Sequence, residues 1–293
     1  MTYFLKQNGT GRKKPALAWD HHVQRVFHLI ISLLLFLLST GISFSQPVQI
    51  KFETVQTFKV QEARQGIAVD SDYFYTINTK SIGKYHKKTG EFIAAWKDTS
   101  NQIIHFDGGV IVNEKLYCAH SNYPGIPMTS SIEIFDKKNL EHTGTHSFGI
   151  KFGSCTWADY YNGYWWVCFA NYDKFEPIFS KNNRWTVLVK FDENWNELES
   201  WTFPEAILQE FKPMSCSGGS WGPDGNLYVT GHDSTRIYVM QLPEMGSVLE
   251  LKNTLKINSE GQGIAWDRYD DMRHLYGIIK KESSVIKSKL FSF

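Results

Sequence analysis

Excess charge is the first thing this chain lacks. Its 293 residues carry 31 Lys and Arg against 30 Asp and Glu, a formal net charge of +1. That balance removes the attraction on which sequence-independent nucleic-acid binding rests, so no nucleic-acid partner is expected. Nucleophile motifs are missing too. No Gly-x-Ser-x-Gly elbow occurs, and Cys155 has no identifiable partner, which argues against a serine or cysteine hydrolase. A P-loop and metal-ligand Cys or His spacings are also absent. Cysteine is scarce, at four residues, and only one long apolar run is present, Val26 to Leu38, broken by His28 and Ser32.

That run sits behind Arg12, Lys13, Lys14 and Arg25 and ahead of Ser43-Phe44-Ser45. Small residues at Ser43 and Ser45 suit a signal peptidase cutting before Gln46. The basic leader is long, so an uncleaved anchor also fits, with Ser39 to Phe44 completing a marginal span. The short apolar core favours cleavage. Residues 1–46 are therefore read as a signal peptide or membrane anchor, and residues 47–293 as one exported domain. It would be secreted, periplasmic or membrane-anchored, and would meet a membrane only if the leader is retained. Export makes disulfides allowable. Cys118 and Cys168 fall inside strands and read as packed thiols. Cys155 and Cys216 both enter innermost strands in neighbouring units, and whether they bridge stays open.

What the chain does contain is a repeated phrase. Gln65-Gly-Ile-Ala-Val-Asp70 returns as Gln262-Gly-Ile-Ala-Trp-Asp267. Weaker copies begin at Gly109, Cys155 and Gly218. Self-similarity at this period marks a β-propeller, in which each small sheet buries its faces against its neighbours. An aromatic content of 15%, mostly in short alternating runs, suits such stacked sheets. The fold class is therefore all-β. Four units read as four strands each, and the last offers only three. The stretch Gln49 to Phe58 supplies the missing outer strand and closes the ring, removing the open edges. Five blades are expected, with six as the fallback if the loops Asn171–Trp185 and Pro204–Ser217 conceal strands.

The phrase Trp221-Gly-Pro-Asp-Gly-Asn-Leu-Tyr-Val229 resembles the repeat of gluconolactonase-like and NHL-type propellers. The tract from Asp107 to Pro124, with Ser130-Ser-Ile-Glu-Ile-Phe135, is similar to exported propellers of unsettled function, some labelled cycloisomerase. The resemblance spans Gln56 to the C-terminus and speaks to fold more than chemistry.

In such a ring, the connections from outer to next inner strand and from second to third strand gather on one face. Arg64, Gln65, Asp107 and Gln262 precede inner strands, and Asn78, Lys80, Asn122, Tyr123, Asn171, His232, Asp233 and Lys281 end second strands. Their chemistry differs from blade to blade, which favours a specific ligand over a repeated structural ring. His105, His120 and Asp107 are the candidate acid–base group, because imidazole titrates near neutral pH. Asn122, Asn171 and Asp233 occupy matching places on three consecutive blades, an oxygen set suited to Ca²⁺. Gluconolactonase-like enzymes use a similar mixture with a further acidic ligand, where this chain has Arg64-Gln65. No other cofactor is indicated. Arg64, Gln65, Asn78, Lys80, Tyr123, Arg184, His232, Gln262 and Lys281 are the expected ligand contacts. The insertion from Tyr172 to Trp185, with Phe175, Phe179 and Arg184, reads as a lid or partner loop. Two functions fit. One is an enzyme of lactonase, lyase or cycloisomerase type acting on a small polar or anionic ligand. The other is a non-enzymatic module for a carbohydrate, peptide or protein.

Overall fold

Short runs of β-branched and aromatic residues, broken by turns such as Lys88-Thr89-Gly90 and Asp224-Gly225, build strands throughout. The computed structural model describes residues 25, 26, 28–30, 50–176, 178, 180–271 and 273–292. The expected cleavage site before Gln46, and most of the apolar run ahead of it, lie outside the described residues, as do Pro177 and Phe179. The chain divides into two units, Met1–Pro47 and Val48–Phe293. No helix among the described residues is long and apolar enough to cross a membrane.

The second unit is a five-bladed β-propeller. Blade 1 runs Gly66–Val69, Tyr73–Asn78, Ser81–His86 and Phe92–Lys97, and blade 2 runs His105–Val112, Lys115–Ser121, Ser130–Asp136 and His142–Gly149. Blade 3 comprises Ser154–Tyr161, Tyr164–Ala170, Val187–Phe191 and Glu197–Thr202. Blade 4 comprises Gly218–Trp221, Leu227–Thr230, Arg236–Gln241 and Glu250–Lys256. Blade 5 has Ala265–Trp266, His274–Ile279 and Ser284–Ser292, completed by Ile50–Lys59 from the start of the domain. That last strand pairs antiparallel with Ser284–Ser292, from Ile50 opposite Ser292 to Lys59 opposite Ser284. The expected five blades and the expected closure are both present.

Inner strands touch in ring order, blade 5 against blade 1 included. They approach closely enough that a side-chain carbon on Gly263 would stand 2.7 Å from the Gly66 Cα. Trp157, 1% exposed, packs between blades 3 and 4 beside Gly219 and donates its indole N–H to Cys216 Sγ at 3.3 Å. The core is laid between the blades. Trp157, Trp166, Trp201, Trp221, Phe203 and Tyr238 belong to one buried cluster joining blades 3 and 4. Burying a large apolar side chain contributes about 1.5–3 kcal/mol, so these seams hold the ring together. Trp165 and Trp266 are buried as well.

Among the described residues the two long loops hold no strands. Asn171–Trp185 contains the 3₁₀ turns Asp173–Phe175 and Asn183–Trp185, and the second loop contains helix α1, Glu205–Phe211. This helix was not anticipated. Ile207, Leu208 and Phe211 are buried in the cluster between blades 3 and 4, giving the loop a packed reason to be helical. All four cysteines are free and buried. Cys216 does not bridge Cys155; it accepts the Trp157 N–H and hydrogen-bonds Cys168.

Candidate functional site

A four-stranded meander puts its first and third turns at one end and its second turn and exit at the other. The propeller therefore has two distinct faces. Residues 105, 107, 121–123, 154, 172, 232–233 and 262 lie on the face where second strands turn into third and outer strands run into the next blade.

Asp107 reaches this face by a device the repeat conceals. The inner strand of blade 2 begins at His105, and its register slips between Phe106 and Gly109, so one extra residue is accommodated opposite the second strand. Such a bulge re-aims the local side chain. His105 and Asp107 thus belong to a strand, not to a loop leading into it. His105 Nε2 lies 3.4 Å from Asp107 Oδ1, while Oδ2 is buried with no hydrogen-bond partner. Asp107 is 8% exposed. An ordinary buried carboxylate has its oxygens satisfied, and this one does not.

Around it stand groups from three other blades. Tyr172 is buried, hydrogen-bonded with Ser154, and its hydroxyl is pushed well above the usual phenol range by burial and by Asp107. Ser154 in turn donates to Ser121 Oγ at 2.8 Å. His232, on blade 4, pairs through Nδ1 with Asp233 Oδ2 at 2.5 Å. Burial lowers its proton affinity more than Asp233 and Asp107 raise it, so its pKa falls below the ordinary value of 6.5. Asp233 holds a left-handed backbone, φ 57°, a conformation Asp tolerates better than most residues. Gln262 is 1% exposed with its amide nitrogen unpartnered.

Other candidates are engaged locally. His120 accepts the Ile104 N–H at 3.1 Å and pairs with Ser131 Oγ at 2.9 Å, turning it into its own blade and toward Glu133. Gln65 donates to Thr79 Oγ1 at 3.3 Å, and the Asn78 oxygen accepts the Thr79 N–H. Arg64 donates to the Lys280 carbonyl at 3.3 Å, Lys281 pairs with Glu260 at 3.5 Å, and exposed Lys80 lies near Asp98. Arg184 pairs with Glu205 at 3.1 Å, tying the insertion to α1. Of the oxygen set, Asn122 already accepts the Thr129 N–H at 2.8 Å, while Asn171 donates its amide nitrogen to the Phe152 and Trp185 carbonyls and leaves its buried oxygen without a hydrogen-bond partner. Asp233 faces His232.

The insertion brings an aromatic wall that single-residue reasoning did not assemble. Tyr123 lies 5.1 Å from both the His105 and Tyr172 rings, and Phe175 closes the group at 6.0–6.2 Å.

The opposite face is built differently. Its inner strands end in Asp70, Asp159 and Asp267, and each carboxylate meets a cation from another blade. Arg268 holds Asp159 by two parallel contacts at 2.8 and 2.6 Å, and Lys87 lies 2.8 Å from Asp267. Lys137 lies 3.8 Å from Asp70, which also accepts the Tyr75 hydroxyl at 2.8 Å. An axial cavity of about 30 Å³ and an aromatic cleft of about 220 Å³ open there beside Trp266 and Arg268. Both terminal nitrogens of Arg268 are engaged, by Asp159, the Tyr160 carbonyl and the Trp221 carbonyl. Among the described residues one acidic cluster has metal-like spacing, Asp270, Asp271 and His274, and Lys287 and Lys289 already neutralise it.

No protein-family model matches this chain, and no curated protein matches it. Solved structures share its fold. A glutaminyl cyclase from Myxococcus xanthus superposes with a TM-score of 0.56 at 10% identity, over 85% of this chain and all of the other. A luciferin-regenerating enzyme gives 0.48 at 13% identity, covering 83% of this chain and 95% of its own. The hydrazine synthase of Kuenenia stuttgartiensis gives 0.45 at 11% identity, covering 76% and 70%. At such identities the likeness speaks of the β-propeller fold alone.

Proposed function

We propose that this propeller is an enzyme that moves a proton on a small polar ligand held at the Asp107 mouth. One observation carries the reading: two His–Asp pairs, His105–Asp107 and His232–Asp233, lie on one face, and Asp107 is near enough to raise the proton affinity of His232. Burial keeps His232 neutral near pH 7, so it is ready to accept a proton. Asp233 on Nδ1 fixes the ring and leaves Nε2 for the ligand. As the imidazolium forms, the Asp107 carboxylate stabilises it. His105, on the other side, returns a proton.

Such a site suits ring opening or ring closure without a covalent intermediate, the lactonase and cycloisomerase classes among them. The Myxococcus xanthus neighbour is named a glutaminyl cyclase, and ring closure falls in the same class of chemistry. Resemblance to gluconolactonase-like propellers and export of the domain both fit this proposal. The test is turnover of a panel of lactones and N-terminal glutaminyl peptides by the parent, His232→Gln and Asp107→Asn. Each variant is expected to lose about 10²–10⁴-fold in kcat with little change in affinity. Full turnover in both would sink the assignment.

A second reading, a binding module without turnover, is favoured by the exposed Trp185 and Ile178 of the insertion, 56% and 78% accessible. Trp185→Ala would then cost affinity, with both histidines silent.

A further inference from the structure

Lys174 is placed unlike any other lysine among the described residues. Its ammonium lies 4.4 Å from the centre of the Tyr123 ring, 4.9 Å from that of Phe175 and 5.8 Å from that of Tyr172. It also donates to the Tyr123 hydroxyl. No carboxylate pairs with it among the described residues, so the three rings and the hydroxyl are its counter-charge. The other ring-facing lysines described lie over at most two rings, as Lys84 and Lys190 do.

Three rings within about 6 Å of one ammonium, one of them accepting from it through its hydroxyl, form a cation site, because aromatic π-systems and a phenol oxygen both attract positive charge. The rings are held by the fold itself. Tyr172 is buried against Ser154, and Tyr123 packs on His105. The lysine, by contrast, arrives from solvent on a flexible stem, in an exposed residue of the insertion. A preformed site with an easily withdrawn internal occupant is arranged for exchange. Its position gives the exchange a purpose: Tyr123 bridges the aromatic corner to His105, and Asp107 adds negative charge just beyond.

We propose that the Tyr123–Tyr172–Phe175 corner recognises a primary ammonium group of the ligand, and that Lys174 is its internal placeholder. This deepens the acid–base reading, on which it rests for the ligand's destination. A primary amine is specified because Lys174 both faces the rings and donates a hydrogen to Tyr123. A ligand seated there points its neighbouring atoms at the His105–Asp107 pair. Lys174 competes with the ligand and sets a threshold for its entry.

The experiment titrates the full chain with n-butylammonium, which copies the end of a lysine side chain, and with n-butanol as the uncharged control. Lys174→Gln empties the corner, and n-butylammonium should bind about tenfold more tightly than to the parent, while n-butanol gains nothing. Lys174→Arg should behave as the parent. Adding Phe175→Leu to Lys174→Gln should reverse the gain. The proposal is overturned if Lys174→Gln leaves n-butylammonium affinity unchanged, or if n-butanol gains equally. Both substitutions lie on partly or wholly exposed residues, and a far-ultraviolet spectrum confirms that each variant is folded. Turnover by Asp107→Asn is read separately. Tightening in Lys174→Gln together with full turnover in Asp107→Asn would keep the amine site and remove the catalytic reading.

Discussion

The two ends of the propeller treat buried charge in opposite ways. On one face Asp159, Asp267 and Asp70 each meet a cation from a different blade, so charge stitches the ring across its seams. On the other, Asp107 is also buried, and its nearest charged-group partner is a histidine two residues away in its own strand. A buried carboxylate held by a cation from another blade serves the fold. A buried carboxylate with an oxygen that meets neither a hydrogen-bond donor nor a lysine or arginine, as at Asp107 Oδ2, costs the fold free energy, and such local cost collects at functional sites. The contrast separates architecture from chemistry within one repeating scaffold.

The comparison breaks hardest on the stitched face. Lys87→Met leaves Asp267, fully buried, without its cation. Removing one partner of a buried pair costs about 3–5 kcal/mol, and urea unfolding should register a loss of that size. Turnover per folded molecule should stay at the parental level, because the opposite face is untouched.

A smaller effect comes from the seam between blades 3 and 4. A methyl group on Gly219 would overlap the Trp157 ring. Gly219→Ala should therefore destabilise by about 1–3 kcal/mol, the ordinary cost of overpacking. Calorimetry would sharpen the comparison by showing that this seam, like the stitched face, serves the fold.

Smaller still is the pH response. Burial lowers the proton affinity of His120, His146 and His232 below the ordinary 6.5. The unfolded chain therefore binds protons first as pH falls. The stability these neutral rings contribute is complete above pH 6.5 and declines as pH drops below it, through the folded-state values. Burial acts the other way on Asp267, whose proton affinity it raises. Urea midpoints between pH 7.5 and 5.5 should fall with acidification. His120→Gln, which keeps a hydrogen-bonding side chain, should flatten part of that slope.

The fold was legible because it repeats. Gly66, Gly109, Cys155, Gly218 and Gly263 mark inner strands in the chain and lie in inner strands, or just before one, in the structure. Closure by the first strand was legible because the last unit was one strand short. Side-chain direction was not. Asn122, Asn171 and Asp233 occupy equivalent places, but Asn122 satisfies its own loop, Asn171 ties down two carbonyls, and Asp233 serves His232. Repeat position fixes where a Cα stands, while local backbone donors decide where a short polar side chain turns. The bulge at Asp107 is invisible to alternation counting, because one extra residue reads as a longer loop. Helix α1 escaped for a similar reason: seven residues are too few for helical periodicity to stand out, and burial of Phe211 against Phe203 and Tyr238 supplies what the local sequence lacks. Lys174 carried no motif at all. Only the folded insertion brings it over rings contributed by two blades.

The most direct test of this division is thermal unfolding of Asp159→Asn beside Asp107→Asn, two identical substitutions of buried aspartates at opposite ends. Asp159→Asn leaves Arg268 without its carboxylate, and a loss of about 3–5 kcal/mol lowers the midpoint by about 10 °C in a domain of this size. Asp107→Asn should melt at or slightly above the parent, because it removes a buried charge that no lysine or arginine pairs and that meets only the His105 imidazole. A large fall for Asp107→Asn, with Asp159→Asn unchanged, would contradict the account and make the Asp107 mouth part of the architecture.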